Sequence, residues 1–471
     1  MKDEELEIFQ NIPDINEAFI YMKEANEPII AHEGLFVIKN GDQECTINGI
    51  IEFDWFPNSA VVFFGISNLG FVDQVKMFQK QTNLEVSING QFLGFGFFTN
   101  VSFGEETEVK GIISRQVVKG ERSIQVKKIS FSIPNFKDFV GDSVKYVSEK
   151  DGMTLLHNRI ILENDKCTIT LDKSRNYKNL QESLQSKGGY VIQYSGELVC
   201  KKGSMSTANN EDVFNCLDLF LSFINGRRTS AMFLNGVYEN KSIWCDYSSM
   251  HVDPYKNVFS WTQQGSTNGL NDIWKRFCEI WNDKGSDGKN FLNYAIHWYL
   301  ESNSNSGFIE GSIVISQTAL ELIYNWLIIE NKKILIGKDS ENISAANKIR
   351  LLLSQLGVSY DTPTNLSSLK SLINQKKDYI DAPDAIVQIR NAIVHSQEEK
   401  RKKLNSIPSE AKFDALELCL WYIELSLLYI LGFDGIYNNR CDRRARTFNT
   451  EHYVPWAKAD NVPNPYKLDS M

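Results

Sequence analysis

Between residues 34 and 199 the chain alternates short apolar runs with polar punctuation. Residues 35–38, 45–53, 60–64, 84–88, 91–98, 108–118 and 123–133 are rich in Val, Ile and Phe, and 153–162, 166–171 and 190–199 continue the pattern. Short runs of β-branched and aromatic residues predict strands. Asn40-Gly41, Asn48-Gly49 and Asn89-Gly90 fall among them. They predict hairpin turns, because a type I′ turn needs two positive φ angles. Many short antiparallel strands predict a sandwich or a barrel-like sheet. A leader with a short helical pattern over 15–25 precedes them.

Near Ser204–Asn209 the composition turns polar and the period changes. Phe214, Leu217, Leu221 and Ile224 predict a helix over 212–225, closed by Arg227-Arg228, which oppose its dipole. Two strands, 230–234 and 242–247, are expected around Asn235-Gly236, then amphipathic helices over 270–281 and 291–300. Asn303-Ser-Asn-Ser-Gly307 reads as a linker. Beyond it helical spacing predicts five helices, over 309–331, 345–356, 366–376, 384–396 and 409–431, joined by short connections as in a bundle. The fold class is α+β, with a β-rich sensor or regulatory domain (1–204), a mixed α/β connecting domain (205–305) and an all-α bundle with a tail (306–471).

The fourth helix of the bundle carries the chemistry. Ile386, Ile389 and Ile393 form its apolar stripe, widened by Val387 and Val394, and Asp384 after Pro383 is the expected N-cap. Gln388, Asn391 and His395 recur at the same spacing on another face. A helix that only builds a core has no need of that polar line, so a polar partner is expected to face it. Arg390 lies beside the line, ~140° from His395 on an ideal helix.

Arg390-Asn391-Ala-Ile-Val-His395 resembles the R-N-x-x-x-H motif of the HEPN superfamily of helical nucleotide-binding and ribonuclease domains. The resemblance covers about residues 310–435. In layout the whole chain resembles ApeA-type and prophage-borne bacterial HEPN proteins, which join a β-rich half to a C-terminal HEPN unit and are associated with phage defence or toxin action. The resemblance implies a homodimer in which two such motifs face one cleft, and an acidic residue on the first helix of the bundle. Glu321 is that candidate: either a buried acid paired with Arg390, or an exposed residue at the edge of the apolar stripe.

The residue types suit RNA cleavage without metal, since the 2′-hydroxyl supplies the nucleophile. Histidine carries protons near neutrality, and arginine offers a planar fork to phosphate oxygens. Asn391 can bond the phosphate or orient His395. These expectations describe a metal-independent endoribonuclease that leaves 2′,3′-cyclic phosphate ends, with RNA as substrate and a phage-derived trigger sensed by the β-rich half. The alternative is an inactive HEPN scaffold whose β-domain recognises a phage protein or other ligand. No nucleotidyltransferase signature and no P-loop is present.

Charge narrows the interface. A net charge of −9 excludes a globally basic surface, so RNA must meet local patches. Lys400-Arg401-Lys402-Lys403 follows His395 by five residues and is either the mouth of the site or a solvated face. Arg440, Arg443, Arg444 and Arg446 read as a solvated face. Eight dispersed cysteines and six dispersed histidines argue against a zinc module or a disulfide framework; no metal or cofactor is expected. Gly90 to Gly96 lacks the G-x-G-x-x-G spacing and a following helix, so it reads as strand. The start carries no apolar signal region, and the most apolar run, 416–431, contains Glu417 and Glu424 and falls short of the ~20 residues of a membrane span. The expected location is the cytoplasm.

Overall fold

The computed structural model describes residues 11–67, 83–104, 106–114, 116–148, 152–262, 266–305, 307–375, 378–395, 397–442 and 451–457. The chain divides into two compact units, residues 1–221 with 228–256, and 222–227 with 257–471. The segment 205–305 is therefore shared between them. An N-terminal β-rich region, a mixed middle region and a C-terminal all-α bundle follow one another along the chain, as the periodicity implies.

In the first unit β1 (Ile29–Asn40), β2 (Gln43–Asp54), β3 (Ala60–Ser67), β4 (Leu84–Ile88), β5 (Gln91–Phe103) and β6 (Thr107–Ser114) close a barrel in the order β1-β2-β3-β6-β5-β4. Burial alternates along β6, and Phe36, Ile47, Ile51, Phe63 and Val86 fill the interior. Asn89 and Gly90 take φ of 49° and 77° and form the expected turn between β4 and β5. Asn48-Gly49 does not turn. It lies inside β2, where a Cβ on Gly49 would meet the Phe64 carbonyl oxygen at 2.0 Å. The dipeptide here serves close strand approach rather than reversal. Gly94 and Gly96 likewise lie in β5 against Ile113 and Ile112.

The unit's second sheet has eight strands: β7 (Val118–Gly120), β8 (Lys128–Pro134), β9 (Asp142–Ser148), β10 (Gly152–Glu163), β11 (Cys167–Lys173), β12 (Ile192–Cys200), β13 (Met232–Tyr238) and β14 (Lys241–Asp246), in the order β7-β14-β13-β8-β12-β11-β10-β9. Asn235-Gly236 again sits within a strand, under the Trp244 ring, and Glu239-Asn240 makes the turn with φ of 47° and 61°. A helix the periodicity did not announce, α1 (Tyr177–Lys187), connects β11 to β12. The leader is not helical over 15–25. Its backbone pairs with Lys145 of β9, its Asn16 amide donates to Asp172, and Met22 and Ala25 join the barrel core. Tertiary anchoring overrides the local pattern. α2 (Glu211–Asn225) runs across the boundary of the two units.

The second unit contains α3 (Leu270–Asn282), α4 (Gly288–Asn303), α5 (Phe308–Tyr324), α6 (Lys338–Glu341), α7 (Ala345–Leu356), α8 (Ser367–Gln375), α9 (Ala382–Val394), α10 (Glu398–Asn405) and α11 (Ser409–Ile430), then β15 (Ile436–Asn438) and β16 (Glu451–Tyr453). α5 continues into a π-helical turn, Asn325–Asn331, whose Trp326 stacks on Phe291 at 4.1 Å. The stretch Phe308–Asn331 is long and apolar enough to cross a membrane, but 61% of its apolar window is buried within the protein, as in a core helix. α11 is buried around most of its circumference and packs against α5, α7, α8 and α9. All eight cysteines are free and buried.

Arg440 corrects the reading of the C-terminal basic cluster as a solvated face. Its side chain is buried, with Nε and Nη2 donating to Glu424 at 2.9 and 2.6 Å and Nη1 to Glu417 at 3.4 Å. Nη2 also donates to Asn303 Oδ1 at 2.9 Å, and Tyr299 donates to Glu424 at 2.7 Å. Arg443, Arg444 and Arg446 lie outside the described residues. Removing one partner of such a buried pair costs about 3–5 kcal/mol, because a charge is left uncompensated. Arg440→Met is expected to lower the melting temperature of the helical unit by about 10 °C. Arg276→Ala, which breaks an exposed pair with Glu279, should leave it nearly unchanged. Equal melting curves for the two variants would refute the assignment.

Candidate functional site

The helix that carries the sequence motif starts one turn earlier than expected. Asp381, not Asp384, is the N-cap: its carboxylate accepts from the Asp384 amide at 2.9 Å, with Ala382 and Pro383 filling the first turn. The same carboxylate takes Arg350 of α7 in a two-pronged pair, Nε at 2.6 Å and Nη2 at 2.8 Å. Those bonds hold the guanidinium above its usual pKa. Asp384 instead accepts from the Ile380 amide and from Gln388. Ala385, Ile386, Val387, Ile389 and Ala392 face the core, whereas Val394 is exposed.

The polar line of α9 does find a polar partner, and part of that partner is α10. Lys403 donates to Gln388 Oε1 at 2.7 Å and lies 5.1 Å over the Tyr379 ring. Gln388 itself donates to the Asp378 carbonyl. Of the four basic residues 400–403, Lys403 therefore clasps α9, and Lys402 pairs with Glu398 at 2.7 Å on an exposed face. Lys400 is half-buried and Arg401 exposed. The basic run lies on the short helix α10.

Arg390 is half-buried and borders a cleft of about 80 Å³ between α5, α7 and α9, with Gln317, Thr318, Glu321, Ala345 and Lys348 among the other lining residues. Its Nη1 donates to Asn391 Oδ1 at 3.2 Å, so Asn391 orients the guanidinium. Its Nε is shut off from solvent and has no hydrogen-bond partner among the described residues. Gln317 crosses the floor, donating to the Ile386 carbonyl at 2.6 Å. Glu321 is brought to this cleft but does not pair with Arg390. It is half-exposed and takes the Lys348 ammonium at 2.5 Å, so the edge-of-stripe alternative holds.

His395 is the C-cap of α9, and its side chain is exposed. Its amide donates to the Asn391 carbonyl, and its carbonyl accepts from Gln397. It does not line the cleft that Arg390 borders. Ser396, next in the motif, lies outside the described residues. Chemically the arrangement offers an accessible imidazole at the end of a helix and, about one turn back, a guanidinium with spare donors over a small polar cleft. Lys348 and Gln317 were missed from sequence. Gln317 did leave a signal, a lone amide within the apolar stretch 313–323; Lys348 left none, because an edge lysine on an amphipathic helix is ordinary.

Comparison with known proteins gives relatives but no activity. Residues 121–258 match the YopA central domain family, and 286–451 match the YopA C-terminal domain family, which includes α9 and the cleft. The SPbeta prophage-derived uncharacterized protein YopA of Bacillus subtilis (strain 168) is 27% identical over 448 residues, 93% of this chain and 97% of its own. No solved structure matches the chain.

Asp381 joins helix capping to the α7 contact, so Asp381→Ala is expected to fray the first turns of α9. The cap alone contributes about 1 kcal/mol. Hydrogen exchange of the amides of residues 384–388 should accelerate at least tenfold, while those of α11 keep their protection. Unchanged exchange in α9 would show that the cap does not hold the motif helix.

Proposed function

For a multi-domain relative of a prophage-borne protein, we propose a HEPN-type endoribonuclease that acts in the cytoplasm as an anti-phage defence or toxin effector. The observation that carries this reading is the state of Arg390: a guanidinium at a cleft whose Nε is desolvated and unpartnered. Leaving a buried donor unmade costs about 1–3 kcal/mol, and a bound oxyanion would recover that cost. A phosphodiester is such an oxyanion.

In the proposed reaction the 2′-hydroxyl of the substrate attacks the adjacent phosphorus. The P–O5′ bond breaks, giving a 2′,3′-cyclic phosphate and a 5′-hydroxyl. Arg390, steered by Asn391, stabilises the charge on the phosphate oxygens. His395, exposed and free to reach a bound strand, moves a proton to or from the reacting oxygens. One motif supplies one imidazole; a second copy of the chain brings the other, so the active species is a homodimer. No metal is needed because the nucleophile belongs to the RNA.

A second reading is favoured by one observation: His395 stands outside the cleft that Arg390 borders. In that reading the helical unit is an inactive scaffold and the β-rich unit binds a phage protein or other ligand.

Incubating the purified chain with single-stranded RNA in EDTA separates the two. Cleavage should proceed and leave 2′,3′-cyclic phosphate ends. Arg390→Ala and His395→Ala should each slow it by about 10²-fold or more. Cleavage that both variants retain would remove these residues from the chemistry. An inert wild-type chain, whose induced expression stays toxic after His395→Ala, would favour the scaffold.

A further inference from the structure

The geometry points to a second phosphate-contacting residue: we propose that Lys348 and Arg390 together make the cleft an oxyanion site, with Glu321 as its built-in competitor. The proposal rests on the ribonuclease reading only for the identity of the ligand.

Two cationic side chains and the start of a helix line the cleft. Arg390 spends Nη1 on Asn391 and leaves Nε unpartnered. Lys348 gives one ammonium hydrogen to Glu321 and has three to give. Its ammonium is braced 5.7 Å from the Tyr324 ring, and its side chain is only 18% exposed, so it is not a lysine loose in solvent. Ala345, the first residue of the twelve-residue α7, also lines the cleft. Ser344, the N-cap of α7, accepts from the Asn347 amide through its side chain and from the Lys348 amide through its carbonyl, and a helix start favours an anion.

Charge and size agree. Two fixed cations against one carboxylate leave a net positive cleft in a chain whose overall charge is −9. About 80 Å³ suits a compact tetrahedral group rather than a nucleobase with its sugar. Glu321 is 54% exposed at the rim and can release Lys348 to an incoming anion. A Lys348–Glu321 pair alone would be a contact of little consequence, and it would leave the unpartnered nitrogen of the neighbouring Arg390 unexplained.

The test uses the full-length chain carrying His395→Ala, so that the probe, a fluorescent single-stranded RNA oligonucleotide, stays intact. Anisotropy across a salt series should show Lys348→Gln weakening binding about tenfold, the loss of roughly one charge-assisted bond. The log–log salt slope should flatten by about 0.7. Lys348→Arg should keep wild-type affinity. Glu321→Gln should bind more tightly, an outcome opposite to that of a structural pair. In the active chain Lys348→Gln should raise KM and leave kcat within about twofold. If Lys348→Gln binds as before while Arg390→Ala does not, the Lys348 assignment fails and the ribonuclease reading stands. If no RNA binds, a thermal shift by inorganic phosphate that Lys348→Gln abolishes keeps the oxyanion site and ends the RNA reading. Absence of that shift in the parent chain overturns the site itself.

Discussion

The helical unit closes around one buried guanidinium. Arg440 spends its donors on Glu424, Glu417 and Asn303, and its plane lies 4.7 Å over Phe259. Asn303 in turn donates to the carbonyls of Gly226 and Phe259. A single side chain thus ties α4, α11, the 259–262 segment and the end of α2 into one knot. Glu417 and Glu424 can sit buried on α11 because a cation meets them there, whereas the buried Asp414 of the same helix accepts the Ser368 and Leu369 amides. That fixes α11, and α11 is the surface on which α5, α7 and α9 pack.

Arg390 is the opposite case within the same unit. Its neighbours satisfy one nitrogen and leave another dry and unmatched. Arg440 has both forks of its guanidinium filled. Arg390 lies beside a second cation and a small cleft, where the proposed phosphodiester would sit. Asp381 shows how the scaffold supports it: one carboxylate caps α9 and anchors α7, so the helices that carry Arg390 and Lys348 are held in common.

The fold class was legible because its signals are local. Apolar runs gave most of the barrel strands, and 3.6-residue spacing placed α7 and α11 nearly to the residue. Asn-Gly pairs misled twice, at Asn48-Gly49 and Asn235-Gly236. A glycine needed for close backbone approach leaves the same trace as one needed for positive φ. The leader misled because its apolar residues answer to the barrel core and not to a helix face. Gln388, Asn391 and His395 could be singled out by spacing on one helix, and Arg390 by the resemblance of its motif to that of the HEPN superfamily. Lys348 could not, since it meets Arg390 only through the packing of α7 on α9. The role of Arg440 was hidden for the same reason, although Glu417 and Glu424 within an apolar run were the trace of it.

Under the proposed function one of these two arginines meets a phosphodiester and the other does not. The arginine Nε–H resonances of isotope-labelled protein, titrated with an RNA oligonucleotide blocked at its 2′-hydroxyls, address it directly. The Arg390 signal should move with saturating concentration dependence while that of Arg440 stays in place. An Arg390 signal that does not respond, with the oligonucleotide bound elsewhere or not at all, would contradict it.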